Sequence, residues 1–386
     1  MFRILLLIDH SSKFSRLLLR GLVQYSKDNG PWLFYRLPSY FKTLHGEEGV
    51  LKWIREWRAD AVFAQADQDE VTYLRDLDIP VIVQNYKKRS DHFSNLTGDY
   101  RGTGEMAAHF FIQRRFQHFA FYGNKGVVWS TERAEGYKAT VEKSGGQFYY
   151  FETENLNDEQ WGSGHEKLDQ WLLSLPKPIA LFACDDYFAL QVSDICKLNN
   201  IAIPDEIALM GVDNDDLICN ISDPPLSSIQ LDVMKGGYEA GRLLQQLLEK
   251  KRVNPYNIVV NPVRIELRQS TEKYNIANEY IHEVVEFIES SFTNPISIET
   301  LLRKVPLSRR NLETKFKNEM GISLYQFILK RRIDYLAELL ILKPELSLLD
   351  LAIQSGFNDS RNLSRIFKKF KGYTPTEYQQ KFSGIL

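Results

Sequence analysis

The stretch from Ser297 to Tyr378 contains one sequence pattern twice, and a repeated pattern calls for two copies of one supersecondary unit. The first copy reads Leu301-Leu302-Arg303-Lys304-Val305-Pro306-Leu307-Ser308, then Asn311-Leu312-Glu313-Thr314-Lys315-Phe316-Lys317, and closes at Gly321. The second reads Leu351-Ala352-Ile353-Gln354-Ser355-Gly356-Phe357-Asn358, then Asn362-Leu363-Ser364-Arg365-Ile366-Phe367-Lys368, and closes at Gly372. The leading segments are offset by 50 positions (Leu301 to Leu351) and the trailing ones by 51 (Leu312 to Leu363). The extra residue falls in the second turn, as expected for two helix-turn-helix units, because turns absorb insertions and helices do not.

Local chemistry predicts the helices. Ser308 and Asp359 are candidate N-caps for the second helix of each unit. Leu312, Phe316 and Met320 lie on one helical stripe, as do Leu363, Phe367 and Lys371, with Ile366 and Phe370 widening the latter. Gly321 and Gly372 suit left-handed caps, and Ser323-x-x-Gln326 and Thr374-x-x-Glu377 read as capping boxes. Opposite the apolar stripes lie Arg309, Arg310, Glu313, Thr314 and Lys317 in the first unit, and Arg361, Asn362, Ser364, Arg365 and Lys368 in the second. Arginine bridges guanine's two acceptors, asparagine pairs with adenine, and lysine neutralises phosphate. A single such face is usually just solvated. Two in matched register favour double-stranded DNA as the partner.

These motifs resemble the AraC/XylS-type DNA-binding domain, in which two helix-turn-helix units are joined by a long helix, here about Leu324 to Leu342, ended by Pro344. The first unit departs from that pattern at Leu302, Pro306 and Glu313.

Upstream, the pattern alternates strand and helix. Strands are expected at 4–8, 32–36, 61–64, 79–83, 118–122, 148–151, 179–184 and 207–212. Helices are expected at 17–27, 49–57, 71–77, 101–114, 131–144, 159–175, 187–199 and 233–250. Such alternation calls for doubly wound parallel sheets, and about 270 residues of it suggest two lobes in tandem. Several segments resemble the LacI/GalR-type effector domain, the two-lobed periplasmic-binding-like fold: Gly98-Asp99-Tyr100-Arg101, Glu132-Arg133-x-x-Gly136-Tyr137, Ala183-Cys184-Asp185-Asp186, Pro204-Asp205-Glu206 through Asp213-Asn214, and Pro225-Leu226-Ser227-Ser228. The expected architecture is therefore an α/β sensing domain at 1–272 followed by an all-α double helix-turn-helix domain at 279–386. That fusion resembles the XylR-type family of regulators, which implies D-xylose or a related pentose as effector, an operator as target, a homodimer, and RNA polymerase as a partner if transcription is activated.

Ligands of such sheets bind beyond the carboxyl ends of the strands. Asp9, Arg133, Asp185 and Asp213 fall there, with Trp129, Glu132 and Asn214 nearby. Carboxylates and a guanidinium suit a neutral polyhydroxylated ligand, and Trp129 suits the apolar face of a sugar ring. Arg133 and Asp213 are read as ligand contacts. For Asp9, Trp129, Glu132, Asp185 and Asn214 a cap or packing role is the alternative. Asp215 and Asp216 read as solvated loop residues, and Asp99 as a cap or lobe-interface residue rather than a sugar ligand.

The net charge of −2 conceals an asymmetry. From Asn275 onward 16 Lys+Arg face 13 Asp+Glu, while the rest carries 32 against 37. A mildly basic tail on an acidic body fits a nucleic-acid reader attached to a sensor. The three cysteines have no C-x-x-C spacing, no H-E-x-x-H or phosphate-binding loop occurs, and no apolar run reaches membrane-spanning length. The adjacent pairs Asp185/Asp186 and Asp215/Asp216 do not flank a scissile bond in the manner of glycosidase carboxylates. A cytoplasmic protein without cofactor, metal or catalysis is expected. The competing reading is a sugar-binding protein or enzyme whose tail is a protein-interaction module.

Overall fold

The computed structural model describes every residue except 9–10, 38–39, 67–68, 86–87, 154–160, 250–254, 277, 358–361 and 383–386. The chain divides into two compact units, Met1–Lys273 and Tyr274–Leu386.

The first unit runs β1 (Arg3–Leu7), α1 (Lys13–Asn29), β2 (Leu33–Arg36), α2 (Tyr40–Trp57), β3 (Ala61–Ala66), β4 (Val81–Asn85), β5 (Ser94–Gly98), α3 (Tyr100–Gln113), β6 (His118–Asn124) and α4 (Val128–Lys143). It continues with β7 (Gln147–Thr153), α5 (Trp161–Ser174), β8 (Ile179–Ala183), α6 (Asp186–Leu198), β9 (Ile207–Val212), α7 (Asp216–Ile221), β10 (Ser227–Leu231), α8 (Val233–Leu248), β11 (Asn257–Val260) and β12 (Pro262–Glu266). Two six-stranded sheets result, ordered β11-β5-β4-β3-β1-β2 and β12-β10-β9-β8-β6-β7. All the pairings described are parallel except β10 with β12. β8 and β9 are buried along their whole length, as strands covered on both faces must be, which is why they read as unbroken apolar runs.

The lobes are interleaved rather than in tandem. After β5 the chain crosses to the second sheet, returns after β10 to place α8 and β11 on the first, and crosses again into β12. The three crossings are tied together: Asp99 N–H donates to Val260 O (2.9 Å), Asp232 N–H to Asn261 O (3.0 Å), and Asn261 N–H to Asp232 Oδ1 (2.5 Å). Each lobe also uses glycine to bring two helices into backbone contact. A Cβ on Gly237 of α8 would lie 2.0 Å from Leu18 O of α1, and one on Gly104 of α3 would lie 2.1 Å from Arg133 O of α4.

Several sequence expectations need correction. Val71–Leu77 is not an α-helix; a 3-10 turn occupies Asp69–Leu74. α2 begins at Tyr40, well before Gly49, and kinks at Gly46. β4 starts at Val81 because Pro80 has no N–H to give the ladder. β5, β10, β11 and β12 escaped the apolar pattern altogether. β5 is Ser-Asn-Leu-Thr-Gly, yet every residue is buried, because Asn95 donates to Ser90 O (2.8 Å) and to Asn257 Oδ1 (3.0 Å). Buried polar groups that find partners make a strand that hydropathy cannot see.

The second unit is helical: α9 (Glu279–Ser291), α10 (Ile298–Leu302), α11 (Arg309–Met320), α12 (Leu324–Leu342), α13 (Leu348–Gln354), α14 (Leu363–Lys371) and α15 (Pro375–Phe382). It has two cores. One gathers Leu301, Leu312 and Phe316 against Leu324 and Phe327 at the start of α12. The other gathers Leu351, Leu363 and Phe367 against Ile333, Leu336 and Leu340 further along it. The α12 helix of 19 residues, about 28 Å long, therefore carries one helix-turn-helix unit near each end.

Candidate functional site

In the second lobe, β8 and β9 deliver carboxylates at their carboxyl ends, and α4 aims a guanidinium at them. Asp185 caps α6, accepting from Phe188 N–H (2.8 Å). Burial pushes its carboxyl up to about 6, with neighbouring Asp213 adding to the rise and Arg133 opposing it. Asp213 follows β9 with φ 97°, a conformation rare for a side-chain-bearing residue. Its pKa is also raised, chiefly by burial and against the attraction of Arg133. Arg133 is 4% exposed and donates from Nη1 to Cys184 O (2.5 Å). Its guanidinium carbon lies 5.3 Å from the Trp129 ring centroid and 5.6 Å from that of Tyr100.

Two buried atoms in this cluster have no hydrogen-bond partner among the described residues: Arg133 Nε and Asp213 Oδ1. This unmet donor on α4 and unmet acceptor past β9, of opposite charge, make a cradle whose needs would be met by a group that both donates and accepts.

The remaining candidates divide. Trp129 is half-buried and shows its ring to Arg133. Asn214 is committed within the lobe, donating to Gln230 Oε1 (2.9 Å) and accepting from Arg268 Nη2 (2.7 Å). Glu132 accepts both Nη1 (2.5 Å) and Nη2 (2.7 Å) of Arg89, a residue of the first lobe. Asp99 caps α3 through Gly102 N–H (2.9 Å), and Asp9 lies outside the described residues.

Asp216 is exposed as expected, but Asp215 is not simply solvated. Asp215 is buried, caps α7 and pairs with Arg16 (3.6 Å), while Asp216 pairs with Lys13 (3.2 Å), which also donates to Asn214 O. Asp186, buried beneath them, accepts from Ser228 Oγ (2.6 Å) and Asp215 N–H (2.7 Å), a structural role that sequence reasoning missed. Arg89 was missed too, because it stands in an irregular segment with no motif around it.

In the second unit the duplication is structural as well as sequential. Ser297 caps α10 and Ser347 caps α13; Leu312 and Phe316 on α11 match Leu363 and Phe367 on α14 as buried anchors. Ser308 caps α11, and Gly321 and Gly372 adopt φ 71° and 79° at the helix ends. Both capping boxes form, at Ser323/Gln326 and at Thr374/Glu377.

The second reading helix begins later than expected. It starts at Leu363, preceded by Asn362 at φ 62° with no side-chain cap bond; Asp359 and Arg361 lie outside the described residues. Phe370 is exposed rather than part of the apolar stripe.

The polar faces reach solvent. Arg309, Arg310, Glu313, Thr314 and Lys317 are exposed on α11, as are Ser364, Arg365 and Lys368 on α14 with Asn362 before it. Arg309 pairs with Glu313 (3.0 Å), answering the acid on the first face. Lys371 turns inward to Asp334 of α12 (2.7 Å).

Comparison with known proteins agrees with both units. Residues 108–271 match the periplasmic binding protein-like domain family, and residues 301–381 match a helix-turn-helix domain family. Among the described residues no helix is long and apolar enough to cross a membrane. The fold and the paired reading helices define the class, a DNA-binding transcriptional regulator with a ligand-sensing domain.

Over its length the chain is similar to the xylose operon regulatory protein of Haemophilus influenzae, 29% identical over 334 residues that cover 84% of this chain and 86% of the relative. The Escherichia coli K12 protein of the same name is 25% identical over 393 residues, covering 100% and 98%. A solved structure described as the xylose-binding transcription activator xylR superposes with a TM-score of 0.62 at 24% identity, covering 99% of this chain and 98% of that one. The chain is thus similar over its whole length to xylose operon regulators, and it joins a periplasmic-binding-protein-like domain to a helix-turn-helix domain.

Proposed function

We propose that a sensing domain, residues 1–272, binds a neutral monosaccharide, D-xylose or a related pentose, between its lobes, and that a reading domain, 279–386, reads an operator in response. The observation that carries the effector half is the unmet pair Arg133 Nε and Asp213 Oδ1. Arg133 donates to a ring hydroxyl oxygen, Asp213 and Asp185 accept hydroxyl protons, and Trp129 covers the apolar ring face. Each charge-assisted bond contributes roughly 1.5–3 kcal/mol. The names of the full-length relatives direct the choice toward xylose.

On the operator, α11 and α14 enter successive major grooves, about 34 Å apart. An α12 helix of about 28 Å between the two cores is of the right scale for that spacing. Arg365 and Asn362 read bases, while Lys368 and Lys317 meet phosphates. The protein acts as a cytoplasmic homodimer without catalysis, and effector binding shifts it toward the form that recruits RNA polymerase. The ligand drives that shift only through its differing affinity for the two lobe arrangements.

Isothermal titration of the full chain across pentoses and hexoses tests the effector. Heat is expected with D-xylose and none with Arg133→Gln, whose far-ultraviolet circular dichroism should be unchanged. Absence of heat with every sugar removes the effector reading.

A further inference from the structure

Between the lobes a second cluster stands beside the proposed sugar contacts. Arg89 belongs to the first lobe, between β4 and β5, and all three guanidinium nitrogens are engaged. Nε donates to Thr97 Oγ1 (3.1 Å) within that lobe, while Nη1 and Nη2 grip the two oxygens of Glu132 on α4 of the second. This is the two-pronged geometry that makes arginine–carboxylate pairs both strong and directional. The pair is partly shielded, its side chains 32% and 27% exposed.

Glu132 and Arg133 are neighbours on α4, so their side chains leave the helix about 100° apart, one toward the first lobe and the other into the cradle. Buried Tyr100, at the crossing between lobes, bridges them: its ring centroid is 5.7 Å from the Arg89 guanidinium carbon and 5.6 Å from that of Arg133. Its seat depends on Gly98, where a Cβ would lie 2.3 Å from the ring.

We propose that Arg89 is a positioning residue for the effector site: its grip on Glu132 holds the lobes closed and, through α4 and the shared Tyr100 ring, holds Arg133 with Nε aimed into the cradle. Arg89 does not touch the ligand. It sets the population of the binding-competent arrangement, and affinity scales with that population. The proposal rests on the effector reading above, and its test is built to fail separately from it.

The full chain is titrated with D-xylose as wild type, Arg89→Ala, Glu132→Ala, the double alanine variant and the exchanged variant Arg89→Glu/Glu132→Arg. Each single variant should weaken binding about tenfold. The double variant should be no weaker than either single, since both remove one interaction. The exchange should restore at least part of the affinity, which a merely structural loss would not permit. Losses that add in the double variant, or unchanged affinity in the singles, overturn the proposal. Small-angle scattering without sugar supplies a reading independent of the ligand. Arg89→Ala should enlarge the radius of gyration and the exchange should reverse it; identical profiles overturn the clasp. If wild type gives no heat with D-xylose, the effector reading fails while scattering still decides the clasp.

Discussion

Asp213 and Asp185, at the proposed effector site, carry strain and charge that weaken the fold. Asp213 holds φ 97°, and Asn214 follows at φ 51°, conformations kept in place by the Asp213 N–H bond to Ile229 O (3.0 Å) and the committed amide of Asn214. Strain of this kind persists where surrounding structure over-determines it, and it gathers at ligand sites. Asp185 adds an electrostatic cost. Burial raises its carboxyl from an ordinary 3.8 to about 6, so the folded protein binds that proton more tightly than the unfolded chain does. Its contribution to stability is full below about pH 4 and is lost as pH climbs through 6. Asp185→Asn retains a side-chain oxygen for the α6 cap and removes the charge. The variant should be more stable than wild type at pH 7.5 by about 1–3 kcal/mol, and the gap should close toward pH 4. Calorimetric melting at several pH values checks this; a gap independent of pH removes the electrostatic account.

The two helix-turn-helix units repeat caps, anchors and closing glycines, but they are not equally constrained. Gly372 sits at φ 79° with nothing near where a Cβ would project. Gly372→Ala should therefore cost about 1 kcal/mol, the penalty of the left-handed conformation alone. Gly356, in the turn after α13, sits at φ 86° and a Cβ there would lie 2.8 Å from both Phe292 O and Thr293 O and 2.9 Å from Arg332 Nε. Arg332 itself bonds Phe292 O (2.6 Å) and Asn294 O (2.8 Å), so the end of α9 is the joint at which the second unit's turn meets the linker helix. Gly356→Ala should cost about 2–3 kcal/mol or more, as overlap adds to strain. Chemical denaturation of the two variants should rank them in that order. Under the proposed reading of the operator, base-reading and phosphate-binding residues give different outcomes. Arg365→Ala should relax base preference at one position, whereas Lys368→Ala should weaken all sequences alike and lower the salt slope by about 1. Binding assays over a range of salt and operator variants separate the two outcomes.

For the whole molecule, sensing and reading reside in units with separate cores. The fragment 274–386 should fold alone and bind operator DNA with an affinity indifferent to D-xylose, while the full chain should respond to it. Gel shifts with and without sugar decide this; a fragment that folds yet ignores duplex DNA at low salt would sink the regulator reading. The two cores of the second unit explain why the fragment should stand without the first: each is closed by its own anchors, Phe316 or Phe367, against one shared helix.

The doubled reader was legible because its signals are local: a capping serine, an anchor four residues after another, a glycine at the helix end each act within a turn or two of chain. The alternation of strands and helices, and the placing of Asp185 and Asp213 just past β8 and β9, were legible for the same reason. Tertiary structure alone decided that Arg89 would grip Glu132, that Asn214 would bond Gln230 and Arg268, and that the polar strands β5 and β10 would be buried. The Arg89–Glu132 and Asn214–Arg268 bonds join residues 43 and 54 positions apart, brought together only after the chain crosses between lobes, and no short-range pattern records where such crossings lead.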